Sequence, residues 1–203
     1  MSSSYNETEV KLYVPDLKSV AEKLESLGAK LVAPRVYERN MRYENAAATL
    51  TKSGIVVRLR QDTRVRLTYK EPPTGPQDSD ITSRYEAEVE VSDFGTMQTI
   101  LGKLGYFPHV VYEKYRTTYT LDGVEVVLDE MPYGNFVEIE GDADAIRQAM
   151  ERLGLQFARR FAGNYLSLFD LLSKRLKLKF ENLTFANFEQ VRIPDDVIED
   201  IID

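Results

Sequence analysis

The chain has 203 residues, enough for one domain, or one domain with an appendage, around a sizeable core. A net charge of −7 and a pI near 5.0 argue against a nucleic-acid-binding surface, while leaving room for a concentrated internal basic site. Cysteine is absent, which excludes disulfides and cysteine-ligated zinc, and no apolar run is long enough to span a bilayer.

Met1-Ser2-Ser3-Ser4-Tyr5 has neither the basic nor the apolar region of a signal peptide, so a soluble, cytoplasmic protein with no membrane partner is expected. Glu7-Thr8-Glu9-Val10-Lys11 then alternates as a strand, placing Glu7, Glu9 and Lys11 on one face and Thr8, Val10 and Leu12 on the other. Asp16 can cap a helix whose apolar positions are Leu17, Val20, Leu24 and Leu27, stopped by Gly28. A strand is expected over 31–37, whereas the polar segment 39–45 and the alanines at 46–48 fit either state. Two alternating runs, 55–60 and 64–70, flank Asp62-Thr63 as a hairpin and carry Arg58/Arg60 and Arg66/Lys70. The proline- and glycine-containing stretch 71–83 reads as a loop.

A second acidic strand follows, with Glu86, Glu88 and Glu90 in one parity, and then a helix opened by Asp93 and stopped by Gly105. A strand over 110–121 carries Lys114 and Arg116; Asp122-Gly123 turns the chain back into 124–128, with Glu125 and Asp129 on one face. The third acidic strand holds Glu138 and Glu140, and a third helix runs over 144–153. Three Leu-Gly stops, at 27–28, 104–105 and 153–154, mark a repeated strand–helix unit too degenerate for a solenoid. Past Phe169 the pattern changes to a basic run, four apolar side chains (Phe180, Leu183, Phe185, Phe188) and an acidic end over 195–203. Short helices packed on the main domain or on a second subunit are expected there.

Eight or so antiparallel strands with these helices form either an open sheet, whose charged face meets water, or a closed barrel, in which the apolar parity is needed against the helices and the charged parity lines a shared interior. That interior would collect Lys11, Arg58, Arg60, Arg66, Lys70, Lys114 and Arg116 against Glu7, Glu9, Glu86, Glu88, Glu90, Asp129, Glu138 and Glu140. Such a lumen must be wet and charge-balanced, because an unpaired buried charge is very costly. Clustered carboxylates are hard-oxygen ligands for Mg²⁺ or Mn²⁺, and clustered Arg and Lys recognise phosphate oxygens. Together they imply a polyphosphate with its metal. No glycine-rich phosphate loop and no Ser/His/Asp arrangement offers another route. Alone, His109 reads as a loop or core side chain; Tyr112, Tyr115 and Tyr119, which mix both parities of one strand, read as packing or as a substrate contact, and Arg159 and Arg160 as solvated or as a cation closing the tunnel.

The chain resembles the CYTH superfamily of triphosphate tunnel metalloenzymes, in the branch of class IV adenylyl cyclases and thiamine triphosphatases. The resemblance is carried by Glu7-x-Glu9-x-Lys11, Arg58-x-Arg60, Leu67-Thr68-Tyr69-Lys70, Arg84 with Glu86-x-Glu88-x-Glu90, Lys114-x-Arg116, Leu128-Asp129-Glu130 and Phe136-Val137-Glu138-Ile139-Glu140. It implies an α+β fold, an eight-stranded antiparallel β-barrel forming a tunnel with helices outside, in a domain over 1–170 followed by a helical extension over 171–203. It further implies that Lys11, Arg58, Arg60, Lys70, Lys114 and Arg116 grip a triphosphate and that Asp129, Glu138 and Glu140 resemble ligands of one Mg²⁺ or Mn²⁺. Glu7, Glu9 and Glu88 would form the acidic wall around a second metal or the nucleophile, with Glu7, Glu9, Lys11 and Glu88 as the catalytic set. Where many relatives carry an Asp-x-Tyr-Phe-like segment, this chain has Asn40-Met41-Arg42-Tyr43. The expected activity is hydrolysis of inorganic, nucleoside or thiamine triphosphate. Conversion of ATP to cyclic AMP and pyrophosphate is the alternative, and a non-catalytic polyphosphate- or nucleotide-binding module the rival from another class. The partner is a small triphosphate, with a homodimer through the helices or the tail left open.

Overall fold

The computed structural model describes residues 6–72, 81–161, 163–194 and 196–202. Strands β1 (Asn6–Tyr13), β2 (Lys30–Glu44), β3 (Val56–Gln61), β4 (Val65–Lys70), β5 (Thr82–Val91), β6 (Phe107–Leu121), β7 (Val124–Met131) and β8 (Gly134–Glu140) pair antiparallel around a ring. The order is β5-β4-β3-β2-β6-β7-β8-β1, and β1 pairs back to β5, so the sheet closes. Closure sets Glu7 opposite Arg84 on one side of β1 and Lys11 opposite Glu138 on the other. A two-residue strand β9 (Arg159–Arg160) lies along the end of β1. This is the expected antiparallel barrel with helices outside.

The helices cover the barrel's outer surface, where the apolar strand parity points. Helix α1 (Leu17–Ser26) contributes Val20 and Leu24, and α4 (Ala143–Leu153) contributes Ile146, Ala149, Met150 and Leu153, against Val10 and Leu12 of β1 and Val137 and Ile139 of β8. Truncating a fully buried member such as Ile146 to alanine costs about 2–5 kcal/mol. A smaller cluster packs α3 (Phe94–Lys103) on Met41, Tyr43 and Leu59. Each of these helices starts under an aspartate cap: Asp16 accepts from the Ser19 amide at 3.1 Å, Asp93 from Thr96 at 2.7 Å and Asp142 from Asp144 at 3.0 Å. The repeat seen in the sequence is therefore a repeated capping device.

Two boundaries differ from expectation. β2 does not stop at Tyr37 but runs to Glu44, and only the single turn α2 (Thr49–Lys52) follows. The segment looked ambiguous because both its faces carry polar residues, one facing the bore and one facing outwards. The loop expected over 71–83 lies, for 73–80, outside the described residues. Beyond the barrel, α5 (Tyr165–Leu176), α6 (Phe185–Phe188) and α7 (Val197–Ile202) pack on its end. They share a core with Tyr112, Met131, Tyr133 and Phe136, and the Leu183 amide donates to the Val111 carbonyl at 2.9 Å. Helix α5 runs unbroken across position 170, where the sequence suggested a boundary. Among the described residues no helix is long and apolar enough to cross a membrane.

Candidate functional site

Antiparallel partners share a face, so the register carries one charged parity around the whole ring. Glu7, Glu9 and Lys11 of β1 stand beside Arg84, Glu86 and Glu88 of β5. The face continues through Lys70 and Arg66 of β4, Arg58 and Arg60 of β3, Arg42 and Asn40 of β2, Tyr112, Lys114 and Arg116 of β6, Glu125 of β7, and Glu138 and Glu140 of β8. They enclose a cavity of about 430 Å³. Its wall carries the cations Lys11, Arg42, Arg58, Arg60, Arg66, Lys70, Arg84, Lys114 and Arg116, and the carboxylates Glu7, Glu9, Glu86, Glu88, Glu125, Glu138 and Glu140. Asn164, Tyr165 and Leu166, at the start of α5, complete the lining.

Without a ligand this wall neutralises itself. Lys11 lies between Glu9 and Glu138, the latter at 3.3 Å. Lys70 pairs with Glu86 and, at 2.7 Å, with Glu7, while Arg84 reaches Glu9 at 3.4 Å. Arg58 donates to Thr68 at 3.1 Å and lies 3.6 Å from Glu88; Arg66 bridges Glu88 and Asp62. Arg60 donates to Asn40 at 2.7 Å and to Glu38 at 3.2 Å. Asp129 accepts from Lys114 at 2.8 Å, from Arg116 at 2.6 Å and from the Tyr165 hydroxyl at 2.9 Å.

The balance is uneven along the bore. Burial disfavours the Glu38 carboxylate, but Lys114, Arg60 and Arg116 outweigh it and draw its pKa down to about 2. Burial likewise opposes the Lys11 ammonium, and Glu138 and Glu9 hold it above its ordinary range. Around β1, β7 and β8 acids prevail. Glu140 is the register partner of Glu9 on one side and of Glu125 on the other, a row of three carboxylates across three strands. Burial first, then the charges of Glu7, Glu125 and Glu9, push Glu140 up to about 7. Glu86 is also pushed to about 7, by burial and by its hydrogen bond with Glu7, whose own pKa falls to about 2 because Glu86 and Lys70 outweigh its burial. Like charges facing one another on a sheet are unfavourable until a proton or a cation intervenes. The donors are hard carboxylate oxygens, which suits Mg²⁺ or Mn²⁺. Among the described residues no three acidic groups converge closely enough to hold a cation as they stand; the glutamates are instead held apart by Lys11 and Lys70.

A model of the CYTH domain matches residues 6–161. The chain belongs to the CYTH family. A Methanocaldococcus jannaschii protein named as a candidate adenylate cyclase is 27% identical over 145 residues, covering 70% of this chain and 80% of that one. Among solved structures, the PH1819 protein of Pyrococcus horikoshii OT3 is 27% identical with a TM-score of 0.62, over 83% of this chain and 99% of its own. A Hippeastrum protein, described as a candidate adenylyl cyclase with a dominant triphosphatase activity, shares the fold at 17% identity and a TM-score of 0.62, over 81% and 95% of the two chains.

For this CYTH chain the barrel brings Glu7, Glu9, Lys11, Arg58, Arg60, Lys70, Glu88, Lys114, Arg116, Glu138 and Glu140 to one cavity. Asp129 is different: it is fully buried, does not border the cavity, and its oxygens are taken by Lys114, Arg116 and Tyr165. It reaches a cation only by surrendering one of those donors. Arg66 lines the cavity, whereas Glu90 lies outside it and pairs with Arg64 at 3.4 Å. Tyr115 and Tyr119 face outwards as packing residues. Tyr112 packs in the core shared with α5–α7 and also turns its hydroxyl into the bore, 3.4 Å from Arg58. His109 is exposed, and Arg159 and Arg160 sit in β9 away from the cavity. Glu38, just before the ambiguous 39–45 segment, and Asn40 and Arg42 within it were hidden, because both faces of that stretch are polar and their parity is settled only by pairing with β3 and β6. Tyr165 carried no local signal, since it meets Asp129 only through the fold.

Proposed function

We propose that this CYTH protein is a triphosphatase that hydrolyses the terminal anhydride of a small triphosphate in the barrel bore. The observation carrying it is the 430 Å³ cavity walled by nine cations and seven carboxylates. Binding an anion requires only the cations; the acid-rich row adds what a bound divalent cation and a nucleophile need. Among the described residues the lining is charged except at Asn6, Val56, Tyr112, Asn164, Tyr165 and Leu166, which suits a polyphosphate better than a base and favours hydrolysis over cyclisation.

Lys11, Arg58, Arg60, Lys70, Lys114 and Arg116 bind the non-bridging oxygens in exchange for the carboxylates with which they pair. Glu138 and Glu140, with Glu7 and Glu9, would hold Mg²⁺ or Mn²⁺, which supplies charge neutralisation of the polyphosphate. Water attacks the terminal phosphorus in line, the bond to the bridging oxygen breaks, and diphosphate leaves with the electron pair. Glu88, on the same wall and outside that cation-holding set, accepts the proton lost by the water. Lys11 and Arg116 stabilise the charge gathering on the leaving oxygen.

The second reading, cyclisation of ATP, is supported by the Methanocaldococcus jannaschii relative. One assay separates the cases: phosphate release from inorganic triphosphate, ATP and thiamine triphosphate with Mg²⁺ or Mn²⁺, with cyclic AMP measured in parallel. Metal-dependent phosphate release from one of these is expected. Cyclic AMP without phosphate release would give the cyclase, and tight binding with neither product the non-catalytic module.

A further inference from the structure

Eight of the nine cavity cations are held by a carboxylate of the folded chain; the ninth is not. Lys11, Arg58, Arg60, Arg66, Lys70, Arg84, Lys114 and Arg116 each have an acidic partner within ion-pair distance. Among the described cations of this wall, Arg42 alone makes no ion pair or side-chain hydrogen bond. Its nearest acids do not compensate. The Glu44 carboxylate is occupied by the amides of Asn45, Leu50 and Thr51, and Asp170 is exposed on α5.

The register makes the deficit worse, because Arg42 on β2 stands directly opposite Arg58 on β3. Two like charges facing each other across a pair of strands destabilise it. Burial, then the charge of Arg58 against it, pushes Arg42 below the ordinary arginine range despite Tyr112. One residue along the same face, Asn40 gives its oxygen to Arg60 and leaves its buried amide nitrogen without an acceptor; the buried Nε of Arg58 also lacks one. This side of the bore therefore holds donors in excess, opposite the carboxylate row on β1, β7 and β8.

We infer that Arg42 is a further substrate-binding residue, forming with Arg58 a two-arginine clamp on a phosphoryl group of the triphosphate. The inference rests on the triphosphatase reading and extends it to a residue whose segment departs from the family pattern. A terminal phosphoryl group offers three non-bridging oxygens and more negative charge than a carboxylate, enough to accept forked hydrogen bonds from two guanidiniums at once. The clamp would fix the end of the substrate lying away from the acid row.

The test uses the full chain with a chelator present and inorganic triphosphate as the probe, so that binding is read without turnover. Arg42→Gln should weaken triphosphate binding about 10- to 100-fold, the range for a lost hydrogen bond to a charged group. Arg42→Lys should recover only part of that, and Arg64→Gln, on the exposed surface, should bind like wild type. Because Arg42 has no partner to lose, ligand-free Arg42→Gln should melt at or above the wild-type temperature, while the upward shift produced by triphosphate shrinks. Wild-type affinity in Arg42→Gln would overturn the clamp and leave the triphosphatase reading standing. A lowered ligand-free melting temperature in both variants would make Arg42 structural and also overturn it. A wild-type protein that binds no triphosphate would remove the reading of the bore, and the clamp with it.

Discussion

The hydroxyl of Tyr165 donates to Asp129 at 2.9 Å, tying the first turn of α5 to the middle of the barrel wall. Asp129 is fully buried and is the shared anchor of Lys114 and Arg116, so the C-terminal helix fixes two bore cations through one carboxylate. Tyr165→Phe removes one of three donors to a buried charge and should lower the unfolding free energy by about 1.5–3 kcal/mol, as measured by urea denaturation. Turnover should fall as well, because Lys114 and Arg116 lose their fixed orientation. An unchanged midpoint would show that α5 merely covers the barrel end.

Lys11 stands between two acids of the bore, Glu9 and Glu138. Lys11→Met removes a charge from the proposed leaving-group side and should reduce kcat at least about 100-fold, the loss typical of a preorganised electrostatic contact. It also leaves two buried glutamates facing each other and should destabilise the protein by about 3–5 kcal/mol. Activity per folded molecule, with the folded fraction read by circular dichroism, separates these effects. Wild-type turnover in Lys11→Met or in Glu138→Gln would place the chemistry outside the bore.

Most of this arrangement was legible because a strand's two faces are written in alternate residues. Glu7/Glu9/Lys11, Arg58/Arg60, Lys114/Arg116 and Glu138/Glu140 each declare a charged face, and the amphipathic helices declare which face must be covered. What stayed hidden depends on pairing across the chain. Glu38 and Arg42 belong to a β2 whose two faces are both polar, and the β2–β6 ladder has register shifts, so local parity does not say which side is inside. Parity separates Tyr112 from Tyr115, three residues on, but only the fold sets the Tyr112 hydroxyl beside Arg58. The burial of Asp129 depends on a tyrosine 36 residues away.

The acid-rich row predicts how stability varies with pH. Glu86 and Glu140 have pKa values near 7, above their ordinary 4.5, so between pH 4.5 and 7 the folded chain binds more protons than the unfolded one. Stability from these two is fully present below pH 4.5 and is lost as pH rises towards 7. Glu7 and Glu38, lowered to about 2, act oppositely: their stabilisation is present above pH 4.5 and is lost as pH falls towards 2. Thermal melts in a chelating buffer should therefore peak near pH 4.5–5 and decline towards pH 7.5. Glu140→Gln should flatten that decline, and adding Mg²⁺ or Mn²⁺ at pH 7.5 should raise the melting temperature. A curve rising steadily from pH 5 to 7.5 would contradict the crowding of Glu9, Glu140 and Glu125.

Tyr112 reports on the other side of the bore. Burial raises its phenol, but Arg58, Arg60 and Lys114 outweigh burial and bring it down from 10 to about 8. An ultraviolet difference titration of the empty protein should show one tyrosine ionising near pH 8, absent in Tyr112→Phe. Triphosphate puts negative charge among the same cations, so the bound protein should show that ionisation moved back towards 10. By linkage, binding to the neutral phenol is favoured, and wild-type affinity for triphosphate should fall as pH rises through about 8, by up to tenfold per pH unit, with a flatter profile in Tyr112→Phe. If triphosphate binds without moving the ionisation, the anion lies away from Arg58, because no phosphoryl group held there could leave a hydroxyl 3.4 Å from that guanidinium electrostatically untouched.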